Sequence, residues 1–375
     1  MAKQKERRVE EVAQEVIVPS NGGAAAIDAT KAKLVGKRKL FNLPQWAVAW
    51  LVLVPALFFI IWFMLFPIVN TTLFAFIGEF YYDKGGSFAL SQFITATTKN
   101  SQTSFFGFDN FVEVMQNQVF LHSIRNTAEL VIIEVPLTII VSLLLATFLN
   151  SIKVLKGFYQ TIFFLPYVTN TIALGLVFNI AFSRGSGGLV NIFLHMFGVD
   201  PINWLSDALV AGVGKATRFH QAVVIVAYSL WNGLAFKILV FMSGLATIDK
   251  QYYDAAKIDG SSSFTIWRRI TLPLLSPQIL YITITSFIGA FKMYTGVMAV
   301  YQGTSSSTGY YFGPTTNPTL MDGDEWIPVV GWIYRYLSLY PTEPGIPSAG
   351  SLVLLGIILM ITVVQFAVSK KRVHY

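Results

Sequence analysis

The sequence predicts an all-α membrane protein of six transmembrane helices, with both termini on the cytoplasmic side. Three observations carry this. Hydrophobic residues make up 54% of the 375 and charged ones only 13%, with a mean hydropathy of +0.57, far from the balance of a soluble domain. Six apolar runs reach the roughly 20 residues that cross a bilayer as a helix. Lysine and arginine are unevenly divided between the two sets of connections, which orients the runs. The basic residues flank spans and form no patch interleaved with aromatics, so the pI near 9.3 reflects topology and does not imply nucleic acid. Cysteine is absent, which excludes disulfides, thiolate metal sites and a cysteine nucleophile and says nothing of redox compartment.

Residues 1–45 mix Glu, Lys and Arg, then pass through Ser20-Asn-Gly-Gly and an alanine run, a composition expected to stay largely disordered. The first span, Trp46–Val69, has no charge and starts too late and runs too long for a signal sequence, so 46–69 is read as a retained anchor. A loop over 70–124 follows, then a core domain over 125–301 with spans Thr127–Leu149, Phe158–Phe182, Gln221–Ala246 and Pro277–Tyr301. An insertion over 302–349 precedes the last helix and basic tail, 350–375, whose span is Gly350–Ser369. One side of this arrangement holds Lys31, Lys33, Lys37, Arg38 and Lys39, then Lys153 and Lys156, then Lys250, Lys257, Arg268 and Arg269, then Lys370, Lys371 and Arg372. The other side has Lys84, Lys99, Arg184, Lys215, Arg218 and Arg335 spread over much longer loops. The positive-inside bias puts both termini and the 249–273 connection in the cytoplasm and the loops 70–124 and 302–349 outside.

The polar connection Asp249–Pro273 organises the chain. Asp249 suits an N-cap, and Tyr252, Ala255, Ala256 and Asp259 recur at helical spacing on a face expected to be exposed. Gly260 fits the left-handed position that stops such a helix, and the serine run from Ser261 caps a second one carrying Phe264, Trp267 and Arg268. Pro273 is expected to end it. The small alanine face lets another protein approach closely.

This stretch resembles the EAA loop of the permease subunits of ABC importers, E-A-A-x-x-D-G-A and, further on, I-x-L-P. Here it reads Asp254-Ala255-Ala256, Asp259-Gly260, Ile270 and Leu272-Pro273, with Asp for the usual Glu and Ser261 for the usual Ala. Further matches extend the likeness to the sugar-type, maltose-transporter-like permeases: Gly107-Phe-Asp-Asn110-Phe111 leading to Asn126-Thr127, Leu165-Pro166-Tyr167, Gly187-Gly-Leu-Val-Asn191, Asn203-Trp204-Leu205, Trp231 with Gly233, and Gly244–Ile248. The phenylalanines of the first match also suit an interfacial aromatic belt. The likeness covers about residues 48–300, and the 302–349 stretch departs from it. It implies the type I importer transmembrane fold in a bacterial plasma membrane. It also implies two ATPase subunits that receive the loop, a second homologous permease, and an extracytoplasmic solute-binding protein that delivers a sugar.

No catalytic constellation is visible. His122, His195, His220 and His374 are scattered, and Gly212-Val-Gly-Lys215 lacks both the first glycine position and the Ser or Thr of a phosphate loop. The chain is therefore read as non-catalytic, with no cofactor or metal of its own and with Mg-ATP belonging to the partner ATPase. The informative residues are polar ones inside the spans: Glu134, Asn170, Asn179, Asn232, Lys237 and Lys292. A charge at mid-bilayer costs about 2.5–3.5 kcal/mol on insertion scales, so such residues face an interior. Asn170 and Asn179 serve equally well as helix-bridging groups. Glu129 and Arg125 lie near the interface and need no special role.

The resemblance implies a substrate path at Ser229, Asn232, Gly233 and Phe236 on the fourth span and at Ser286, Gly289, Ala290 and Met293 on the fifth. Hydroxyls and amides beside an aromatic face suit a sugar's polar edges and apolar faces, although Ala290 and Met293 lack the family's amides. Lys237 and Lys292 leave two roles open, pore-lining groups for an anionic cargo such as glycerol phosphate, or structural partners of Glu134. The reading is a permease subunit importing an oligosaccharide or related polyol by alternating access, aided by Pro55, Pro136 and Pro166 within spans. A membrane scaffold or channel without ATP coupling is the alternative of another class.

Overall fold

A computed structural model describes residues 44–77, 107–152, 154–183, 187–205, 217–301, 326–341 and 343–369. Nearly all of the 1–45 tail, much of the 70–124 loop, the Gly212–Lys215 run, residues 302–325 and the basic tail after Ser369 lie outside the described residues. No strand occurs among the described residues. Two compact units divide the chain at Pro67 and Ile68.

The first unit contains α1 (Gln45–Ile60), which passes through a π turn at Ile61–Leu65. Its apolar side chains are exposed on every side, as a lipid-facing helix requires. The π turn has a local cause. Pro67 supplies no amide hydrogen, and the widened turn, in which Phe66 N–H bonds back to Ile61 O, accommodates the loss. α2 (Phe66–Phe76) carries the chain across the division.

The second unit is built on α4 (Gln118–Ser151) and α8 (Arg218–Thr247), packed along one another. α3 (Asp109–Gln116) precedes them, and between them come α5 (Lys156–Val168), α6 (Thr171–Ala181) and α7 (Leu189–His195). After α8 the chain forms α9 (Lys250–Ile258), α10 (Ser263–Ile266), a π turn at Trp267–Thr271, α11 (Leu272–Leu274), α12 (Ser276–Phe291) and α13 (Thr295–Tyr301). α14 (Val329–Leu339) and α15 (Gly345–Ser369) complete it.

Four helices are long and apolar enough to span a membrane, or six if each bent pair counts as one span. The bent pairs correct the sequence reading. Phe158–Phe182 is not one continuous helix: α5 and α6 meet at 100°. The break falls after Pro166, where the Asn170 side chain accepts from the amides of Ile172 (2.8 Å) and Ala173 and so starts a new helix. Pro277–Tyr301 is likewise divided, with α12 ending at Phe291 and α13 beginning at Thr295. Pro273 does not end its helix. The π turn before it absorbs the missing amide as it does before Pro67, and the 66° bend comes two residues later, at Leu275.

Two apolar cores form. One joins Phe120, Val131, Tyr228, Trp326 and Trp332, the other Leu143, Ala146, Phe241, Leu275 and Ile282. The described part of the 302–349 stretch belongs to the first: Trp326, Ile327, Val329 and Trp332 are buried there, and the last helix begins at Gly345, ahead of the expected Gly350. Close helix approaches depend on glycine. A Cβ at Gly175 would overlap the Ala299 side chain, and one at Gly296 would enter the Tyr228 ring.

Candidate functional site

Along α4 the first core ends at Val135 and the second begins at Leu143; along α8 they meet between Tyr228 and Leu234. Glu134 stands at the middle of α4, about 25 Å from each end, and Gly233 at the middle of α8, about 22 Å from each end, at about 1.5 Å per residue. A cavity of about 630 Å³ opens at this level, within the roughly 300–1,000 Å³ usual for small-molecule sites. All eight residues of the expected substrate path line it: Ser229, Asn232, Gly233, Phe236, Ser286, Gly289, Ala290 and Met293. Glu134, Lys237 and Lys292 line it as well.

Both helix breaks border this cavity. Thr169 and Thr171 flank the α5–α6 bend, and Lys292, Met293, Tyr294 and Thr295 form the α12–α13 connection. Irregular backbone at membrane depth is tolerated where it lines a cavity, since water or substrate can satisfy its polar groups. Of the lining, Thr169, Thr171, Tyr294 and Thr295, with Tyr167, Tyr228 and Thr285, were not expected as site residues from the sequence, whereas Met293 and Lys292 were. The Pro166, Asn170-Thr171 sequence carried the signal for the first break, a proline followed by a capping asparagine.

The walls are differently engaged. Tyr228 is fixed: its hydroxyl donates to Thr171 O at 3.3 Å and its ring stands edge-on to Phe178. Ser229 donates to the Met293 sulfur at 3.2 Å. Tyr167 and Phe236 present nearly parallel rings with centroids 6.2 Å apart. Asn232, Ser286, Lys237 and Lys292 make no hydrogen bond or ion pair with other described residues, while Lys237 and Glu134, each about nine-tenths buried, are electrostatic neighbours. Asn179 does not reach the cavity; its amide donates to Val300 O at 2.6 Å and ties α6 to α13.

The second site is the helix pair after α8. Asp249 caps α9, accepting from Gln251 N–H at 2.9 Å, and Ser262 caps α10. Between them Gly260 has φ +73°, with Gly260 N–H bonded to Lys257 O and Ser261 N–H to Ala256 O, a Schellman ending. The predicted exposed face needs one correction. Ala256 is buried, at 9% exposure, while Tyr252, Ala255 and Asp259 are exposed. Asp254 is half-exposed beside Lys250, 3.9 Å away. Ile270 and Leu272 are partly buried, and Leu272 packs against the second core. Trp267 donates to Thr147 Oγ1 at 3.4 Å and, with Leu272, packs against the second core, while Tyr253 pairs with Thr271, so the pair is tied internally and to α4. The sequence reading missed Ile258, 87% exposed, as an outward-facing apolar group; with Phe264, at 67%, it leaves this surface open.

At the opposite ends of α4 and α8, Arg218 donates to Asn126 Oδ1 and Glu129 Oε2, both at 2.8 Å, and lies over the Trp326 ring. Arg125 pairs with the other Glu129 oxygen, so Glu129 is a structural hub in place of the role-free interface residue expected. Asn110 donates to the carbonyls of Phe74, Ala75 and Ile77, and Asn191 accepts from Ile202 N–H and Trp204 Nε1.

Bent spans around a cavity that carries polar groups at mid-helix depth, with a capped helix pair attached at one end, define a membrane-transport protein of the permease class. The chain belongs to the family of binding-protein-dependent transport system inner membrane components, whose family model matches residues 138–372. It is therefore a multi-pass protein of the bacterial plasma membrane. It is 31% identical to a lactose transport system permease protein of Rhizobium radiobacter over 68% of this chain and 76% of that one. It is 29% identical to an arabinooligosaccharides transport system permease protein of Bacillus subtilis (strain 168), over 72% and 77%. A chain in the crystal structure of a bacterial alginate ABC transporter in complex with alginate pentasaccharide-bound periplasmic protein has the same fold, with TM-score 0.66 and 19% identity over 87% of this chain and 94% of that one.

Proposed function

We propose that this chain is the translocating subunit of an ATP-driven importer for an oligosaccharide or related polyol. The observation that carries this is the mid-depth cavity formed where two spans break. It offers unengaged amide and hydroxyl groups at Asn232 and Ser286 beside the Tyr167–Phe236 rings. A sugar needs both, hydrogen-bonding groups for its edges and aromatic faces for its C–H surfaces. The lactose and arabinooligosaccharide relatives support the same class of cargo.

The α9–α11 pair lies on the cytoplasmic side and seats in a separate ATPase, which hydrolyses Mg-ATP; its caps, its bond to α4 and its packing on the second core let it act as a lever. Two ATPase copies, a second homologous permease and an extracytoplasmic binding protein complete the machine, and this chain holds no cofactor. Lys250, Lys257, Arg268 and Arg269 near this pair support the orientation. Uptake of labelled oligosaccharides by proteoliposomes containing the whole complex, with ATP and binding protein, is the test. Phe264→Asp is expected to abolish uptake. Uptake that persists without ATP, or in Phe264→Asp, would favour an uncoupled channel or scaffold.

A further inference from the structure

The cavity's charges do not balance. Glu134, Lys237 and Lys292 are the ionisable acid and bases in its lining, one negative against two positive. Lys237 answers Glu134, its electrostatic neighbour. Its ammonium lies against Gly233: a Cβ there would come within 2.8 Å of Lys237 Nζ, so the missing side chain leaves room for the ammonium at the cavity wall. Lys292 is the surplus. It sits in the backbone break after α12, exposed to the cavity, with no ion pair among the described residues. The negative end of α12 offers it partial compensation, yet a cation at mid-membrane depth stays costly unless a counter-charge reaches it.

Resting on the importer reading above, we infer that the cavity selects an anionic saccharide, one carrying a carboxylate or phosphate, which Lys292 and Lys237 receive. The anion completes the charge balance that Glu134 leaves open, and Asn232 and Ser286 hold neighbouring hydroxyls. Thr169 and Thr171 place the start of α6, whose N-terminal end favours negative charge, on the same cavity.

Proteoliposomes bearing the whole complex test this. They are offered oligouronides, the methyl esters of the same oligouronides, and phosphorylated sugars, and the readout is the ratio of charged to esterified uptake. The native complex is expected to favour a charged member, and the carboxylate and phosphate arms distinguish the two sources of charge. Lys292→Gln should lower the ratio about tenfold or more, the scale of a lost hydrogen bond to a charged group, and Lys292→Arg should largely restore it. A ratio unchanged in Lys292→Gln, or a native complex that imports only uncharged members, overturns the inference and leaves the importer reading intact. A complex that imports no member overturns both.

Discussion

The two ends of the α4–α8 pair use their polar and aromatic residues in opposite ways. Where the helices begin, the chain consumes its own groups: Arg218 satisfies Asn126 and Glu129, Trp326 donates to Arg218 O at 3.0 Å, and Val329 N–H donates to Thr127. Where they finish, caps and a Schellman turn satisfy the backbone of α9 and α10, yet Tyr252, Ile258 and Phe264 are left facing outward. One end is closed by internal contacts and the other is capped but unfinished. Exposed apolar groups on a capped polar element suit the docking role proposed above, whereas a ring of mutual side-chain bonds makes a structural seal.

Trp326→Ala breaks the sealed end most severely. It empties a buried site in the first core and removes both the indole bond and the stacked guanidinium, for a loss of about 3–5 kcal/mol. A large drop in the unfolding temperature of the purified chain, without release of the ATPase from molecules that stay folded, is the expected result. Gly296→Val disturbs the region between the ends. The branched side chain meets the Tyr228 ring, and overpacking of this kind costs about 1–3 kcal/mol. Substrate uptake should fall along with thermal stability, since Tyr228 walls the cavity. Asp249→Ala removes one cap from the open end, about 1 kcal/mol. Faster amide hydrogen exchange confined to residues 250–258, with the spans unaffected, is the outcome to look for.

The smallest effect concerns Glu113 on α3, near the sealed end. Burial, and then the negative charge of Glu343, hold its carboxyl above the ordinary value of 4.5. A raised carboxyl favours the protonated folded state. Its penalty is therefore absent below that ordinary value, grows as pH rises from it toward the raised one, and is fully present above the raised one. Glu113→Gln should give a slight gain in unfolding temperature at neutral pH and none at about pH 4. The gain is small because the side chain is largely exposed and solvent screens it.

The open end was the more legible of the two in the sequence. Asp249, Gly260 and the serine run act through neighbours two to five residues away, so local pattern specifies them. Ala256 differs from the expectation because helical spacing groups residues on a face but does not say whether each of them meets solvent. The cavity was legible only through resemblance. Its two helix breaks are closed by local bonds, such as Lys292 N–H to Gly289 O and Met293 N–H to Ala290 O, yet only Pro166 and the Asn170 cap mark a break by residue type. At the sealed end Asn110, Asn126 and Asn191 were visible as residues, but their bonds reach partners as far away as Ile327, which no periodicity reveals.

The measurement that bears most directly on this account is co-purification of the ATPase with the assembled complex, comparing the native chain with Ile258→Asp, Phe264→Asp and, as an exposed control on α3, Val112→Asp. Both substitutions at the open end should release the ATPase from a complex whose permease chains remain folded and inserted, and the control should retain it. Retention of the ATPase by both open-end variants would contradict the assignment of this surface as the coupling site.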